Sequence, residues 1–139
     1  MGFKKILVAI DRSSLALLVF EQALELAKKE SASFMVFHCL DSANIRQLTS
    51  LIDVEEETEQ VQKWLQTYHH KVKDQGVSAE FGYKVGEPGP SICDLAQSWG
   101  ADLIVLGRRG YKGLEEFLLG SISNHVVHHA PCSVLVIQG

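Results

Sequence analysis

The sequence predicts an α/β fold, a single domain over residues 1–139 built on a doubly wound, five-stranded parallel sheet with helices on both faces. Three observations lead there. Short apolar runs recur five times, mostly as unbroken aliphatic stretches of the kind found in strands buried on both faces. Between them, apolar residues return at helical spacing, and strict alternation of strand and helix favours a parallel sheet with right-handed crossovers. At 139 residues the chain suffices for one core, and no repeat, linker or low-complexity tract divides it.

Residues 5–10 (KILVAI) form the first predicted strand. Asp11, Ser13 and Ser14 follow as cap-type residues, and Leu15, Leu18, Val19, Ala23, Leu26 and Ala27 then mark a helix down to Lys28 and Lys29. Residues 34–40 are the second strand. Residues 45–54 carry no clear period. Glu55, Glu56, Glu57 and Glu59 suit a first helical turn, where carboxylates meet exposed N–H groups, and Val61, Trp64, Leu65, Tyr68 and Val72 carry the apolar stripe, which ends before Gly76. Residues 78–85 are the third strand, and the run Gly86, Glu87, Pro88, Gly89, Pro90 breaks the chain before a short helix at Ile92, Leu95 and Ala96. Residues 102–106 (DLIVL) are the fourth strand, residues 121–129 a helix, and residues 132–137 (CSVLVI) the fifth strand.

Thirteen Lys and Arg against seventeen Asp and Glu give a net charge of −4, so no overall positive field draws the protein to nucleic acid or anionic lipid. A small anion needs only local donors. Three cysteines, Cys39, Cys93 and Cys132, are widely spaced and form no CxxC pair, which fits a reducing, cytoplasmic setting better than a disulfide framework or zinc ribbon. The apolar run ending at Ile10 is too short for a membrane span or signal core, and Ile6 stands where a myristoylation motif needs Ser or Thr.

In doubly wound sheets ligands sit beyond the carboxyl ends of the strands, where strand order reverses, which directs attention to residues 11–14 and 107–120. The second segment opens straight after a buried strand with Gly107, passes Gly110 and Gly113, and ends at Gly120 and Ser121, where a helix begins. Glycine admits close approach of backbone N–H groups, and a helix start offers unpaired donors and partial positive charge to phosphate; Ser121 and Ser123 add hydroxyls. Taken alone, the same glycines serve equally as tight turns and a helix cap.

Gly107, two residues, Gly110, nine residues, then Gly120 and Ser121 resembles the G-x2-G-x9-G-[ST] signature of the ATP-binding universal stress proteins. The resemblance runs the length of the chain, through KKILVAIDRSS, GEP at residues 86–88, ADLIVLGRRG, LLGSISNHVV and PCSVLVI. It implies a cytoplasmic stress-response or regulatory homodimer that binds ATP, with Mg as a possible companion ion. It further implies Asp11 beside the adenosine, a backbone group at Cys39 near the adenine, Gly107 flanking the ribose, and Gly110, Gly120, Ser121 and Ser123 donating to phosphates. Arg108 and Arg109 replace the Ser-His frequent in the family; a guanidinium at Arg109 pairs with phosphate by charge-assisted hydrogen bonds. Glu115 and Glu116 stand where basic residues are frequent, and face solvent on this reading.

His125 and His129 share a helix face near Cys132, but no carboxylate or second cysteine completes a zinc set, so no metal site is assigned. No GxxxxGK[ST] loop, Ser-His-Asp or Cys-His signature is present, and no catalytic residue is assigned. Two alternatives stay open: a dimeric interaction protein of the same fold that does not use nucleotide, and a slow ATPase. In the strand order 3-2-1-4-5 the last strand, opened by Cys132 and closed by Ile137, lies at an apolar edge without Lys or Pro, which invites pairing with a second copy.

Overall fold

The computed structural model describes residues 2–48, 50–108 and 120–139. The elements are β1 (Lys5–Ala9), α1 (Ala16–Glu30), β2 (Ser33–Asp41), α2 (Ser42–Ile45), α3 (Leu51–Val72), β3 (Ala79–Gly86), α4 (Pro88–Trp99), β4 (Leu103–Gly107), α5 (Ser121–His129) and β5 (Ser133–Ile137). The five strands form one sheet in the order β3-β2-β1-β4-β5, every neighbouring pair parallel. At its centre, Ile6 lies beside Phe34 of β2 on one side and Leu103 of β4 on the other.

Side chains of a strand alternate between the faces of its sheet, and here each face meets a different pair of helices. Ile6, Val8, Phe34, Val36, Leu103 and Val105 pack with Val19, Phe20, Ala23 and Ala27 of α1 and Val61, Leu65 and Tyr68 of α3. Leu7, Phe37, Ile104 and Leu106 pack with Ile92, Cys93 and Ala96 of α4 and Val126 of α5. Both faces are buried, which is why β1 and β4 read as unbroken apolar runs. Phe20 anchors the first core, its ring edge-on to Tyr68 with centroids 4.7 Å apart and tilted against Phe34 at 6.0 Å. At the amino end of the central strands the Asp102 carboxylate accepts from the N–H groups of Lys4 at 2.8 Å and Lys5 at 3.0 Å.

The strands shift by a residue or so from the sequence reading and α2 is additional to it, while three helix starts differ for identifiable reasons. α3 begins four residues before Glu55, because Ser50 caps it by accepting from the Asp53 N–H at 3.1 Å; its first residues, Leu51 and Ile52, are 73% and 66% exposed and so carry no inward-facing period. α4 begins at Pro88 instead of after the Gly86 to Pro90 run: proline's fixed φ suits the first helical turn, where its missing N–H has no partner to lose. α1 is not capped by Asp11, Ser13 or Ser14. Its N-cap is Leu15, without a side-chain bond, while Asp11 accepts from both the N–H (2.9 Å) and the hydroxyl of Ser13 in the preceding turn. Among the described residues no helix is long and apolar enough to cross a membrane.

Candidate functional site

A cavity of about 630 Å³ opens where β1, β2 and β4 end. β1 runs between β2 and β4, so chain connections leave it in opposite directions and the loops part, leaving a crevice at the reversal point. Ala9, Ile10 and Leu40 contribute apolar surface from the strand ends, Ile45 and Leu48 from the α2 side, and Pro88 and Ile92 from α4. Asp11, Arg12, Asp41 and Glu57 bring charge to the lining, and Gly107, Gly120, Ser121, Ile122 and Ser123 close the side at β4 and α5.

The structure therefore brings Asp11, Cys39, Gly107, Gly120, Ser121 and Ser123 to one cavity. Arg109 and Gly110 lie outside the described residues, as do Glu115 and Glu116. Gly107 lies close against α1: an added Cβ would come within 2.9 Å of the Leu15 Cδ2, which would have to shift to admit it. Cys39 is half-buried on β2, and burial pushes its thiol pKa up, which keeps it protonated and a weak nucleophile.

The two described ends of the glycine segment are tied together. Arg108 donates its N–H to the Ile137 carbonyl at 2.9 Å, and Gly120 donates to the Arg108 carbonyl at 3.1 Å. Ser123, 1% exposed, donates its hydroxyl to the same Arg108 carbonyl and lies 3.2 Å from the Gly120 carbonyl. That hydroxyl proton closes the base of the loop, a duty not visible in the sequence. The helix's own hydrogen-bond ladder begins with Asn124 N–H to Gly120 O at 2.8 Å, so the N–H groups of residues 121–123 precede it at the positive end of α5.

Two lining residues were missed by sequence reasoning. His38, buried on β2, places Nδ1 2.8 Å from the Ile10 carbonyl oxygen; that contact needs Nδ1–H, so the neutral ring keeps its lone pair on Nε2. Its edge meets the Trp64 ring at 4.9 Å, and the Arg12 guanidinium lies 5.2 Å from the Trp64 centroid. Burial lowers the His38 pKa, the Ile10 bond opposes that shift, and the Arg12 charge adds to it. A histidine inside an apolar strand was the one sequence cue to the first; nothing marked Arg12 apart from its place after Asp11.

The sheet order, the two helical layers and a crevice at the reversal point define a doubly wound, Rossmann-type α/β protein. The chain belongs to the universal stress protein family, which matches residues 2–138. It is similar to a universal stress protein of Synechocystis sp., with 46% identity over 99% of both chains. Among solved structures it resembles the universal stress protein UspA from Lactobacillus plantarum, with a TM-score of 0.85 and 25% identity over 99% of both chains. It also resembles the universal stress protein from Archaeoglobus fulgidus solved in complex with dAMP, with a TM-score of 0.68 and 28% identity over 99% of both chains.

Proposed function

We propose that this chain is an ATP-binding, cytoplasmic stress-response or regulatory protein that works as a homodimer, residues 1–139 acting as one domain. The observation that carries the reading is the cavity at the ends of β1, β2 and β4, apolar at one side and bounded at the other by the start of α5. An adenine ring is flat, apolar on its faces and edged with hydrogen-bonding groups, and the adenosine that carries it suits the surface between Asp11 and Cys39. The triphosphate then reaches the side where Gly120, Ser121 and Ser123 open α5, Gly110 and Arg109 being the further residues assigned to the phosphates, and Mg, where bound, would offset phosphate charge. In this arrangement Ser123 serves the phosphates through its N–H and through the loop end that its hydroxyl holds. The similarity to a protein solved with dAMP supports an adenine nucleotide as ligand.

Calorimetric titration with ATP, ADP, AMP and adenosine, with and without magnesium, tests this. ATP is expected to bind at one site per chain and more tightly than adenosine. Absence of binding by every adenine nucleotide overturns the reading and leaves an interaction protein of the same fold. Release of phosphate over time in the same samples detects a slow ATPase.

A further inference from the structure

On α5, His125 and His129 sit one turn apart with their rings face to face, centroids 4.2 Å apart and planes within 21°. Each ring is held by a contact of its own. His129 pairs Nδ1 with the His125 carbonyl at 2.9 Å; the carbonyl only accepts, so Nδ1 carries the proton and the neutral ring keeps its lone pair on Nε2. His125 is seated against Gly89 of α4, where an added Cβ would come within 2.8 Å of the imidazole Cγ. His125 is partly exposed and His129 exposed, so solutes reach the pair.

Two imidazoles at i and i+4 are the spacing by which a helix offers two nitrogen ligands to one ion. A backbone carbonyl bonded to the far nitrogen is the usual partner that orients a metal-binding histidine. We propose that His125 and His129 form an open, two-imidazole chelate for a borderline divalent transition ion of the copper, nickel or zinc kind. The stack becomes a chelate when the two rings tilt slightly so that both Nε2 lone pairs converge on one ion, the His129 bond to the His125 carbonyl being kept, at the ~2.0–2.1 Å metal–nitrogen distances such ions require. Among the described residues no group of three or more His, Cys, Asp or Glu gathers as a metal set, so water or a small anion fills the remaining positions. The site is thus an exchangeable one, unlike a closed structural zinc site, and its preference follows the intrinsic order in which copper exceeds nickel and zinc.

His128 provides an internal control. It lies on the same helix and makes the same kind of bond, Nδ1 to the Asn124 carbonyl at 2.9 Å, but its ring is 6.4 Å from that of His129 and tilted by 52°. The experiment is calorimetric titration of tag-free protein with nickel in a non-coordinating buffer near neutral pH, repeated with zinc and copper. One ion per chain is expected. His125→Gln, which fills the seat on Gly89 with a side chain of similar reach, and His129→Ala should each weaken nickel binding by roughly tenfold or more, while His128→Ala leaves it unchanged. Circular dichroism establishes that the variants are folded. Wild-type protein that binds no nickel, a His125→Gln/His129→Ala double variant that binds as the parent does, or an equal loss in His128→Ala would each overturn the proposal.

Discussion

His38 and Ile10 are joined across two neighbouring strands, the imidazole Nδ1 of one lying 2.8 Å from the carbonyl oxygen of the other, just beyond the end of β1. The same carbonyl belongs to the residue before Asp11, so the position of a buried ring bears directly on the entrance of the cavity.

The burial of that ring makes stability depend on pH. Burial disfavours the imidazolium, so the folded-state pKa of His38 lies below the 6.5 of a free imidazole. The unfolded chain therefore takes up this proton first as pH falls. The contribution of neutral His38 is fully present above the unfolded value and is lost as pH drops through it toward the folded one. Urea unfolding at several pH values should show wild type losing stability below about pH 6.5 more steeply than His38→Gln, which retains a donor for Ile10. Parallel slopes would mean that His38 takes no part in the pH response.

Gly120 is the buried N-cap of α5 with φ −64° and ψ 164°, angles open to any residue, so Gly120→Val meets no backbone penalty and circular dichroism establishes that the variant is folded. A branched side chain beside the N–H groups that open α5 should keep phosphate at a distance. ATP affinity is expected to fall at least about tenfold, equivalent to ~1.4 kcal/mol, with adenosine affected less. Unchanged ATP binding by a folded variant would move the phosphates away from α5.

Arg109 is proposed to pair with the β- or γ-phosphate. Loss of a charge-assisted contact typically removes about 1.5–3 kcal/mol, so Arg109→Gln should weaken ATP by at least an order of magnitude and leave adenosine nearly untouched. Comparable losses for the two ligands would assign Arg109 a structural role.

Among the described residues β5 pairs only with β4, and Leu135 on it is 38% exposed while Val136 packs toward the α4 and α5 side. If residues 132–137 pair with a second copy, Leu135→Lys introduces charge at that edge and should shift sedimentation equilibrium at micromolar concentration from dimer toward the 15.4 kDa chain. A wild-type mass already near 15.4 kDa would exclude the dimer.

The sheet was legible because its central strands are buried on both faces, which leaves Ile6, Leu7 and Val8 no polar interruption. The position of the cavity followed from the reversal of strand order beside β1. Less legible were features set by single side chains. Ser50 caps α3 with one hydroxyl, a signal masked by the exposed Leu51 and Ile52 that follow it. Ser123 donates its hydroxyl to the Arg108 carbonyl fifteen residues back, a tie that no local spacing in the sequence announces. The Arg12, Trp64 and His38 stack joins a loop, a helix and a strand, and no local pattern connects them.

The Asp102 carboxylate, gripping the N–H groups of Lys4 and Lys5 across 98 and 97 residues of sequence, bears on the order of assembly. β1 can pair with β2 as soon as α1 separates them, but its other edge stays empty until β4 has been made. On a ribosome, the half comprising β1, β2 and β3 emerges with one flank of its central strand bare, and closing it demands a contact of large sequence separation, the slow kind. The crevice does not exist before that closure, so ligand capture during synthesis reports the moment at which the two halves of the sheet have met.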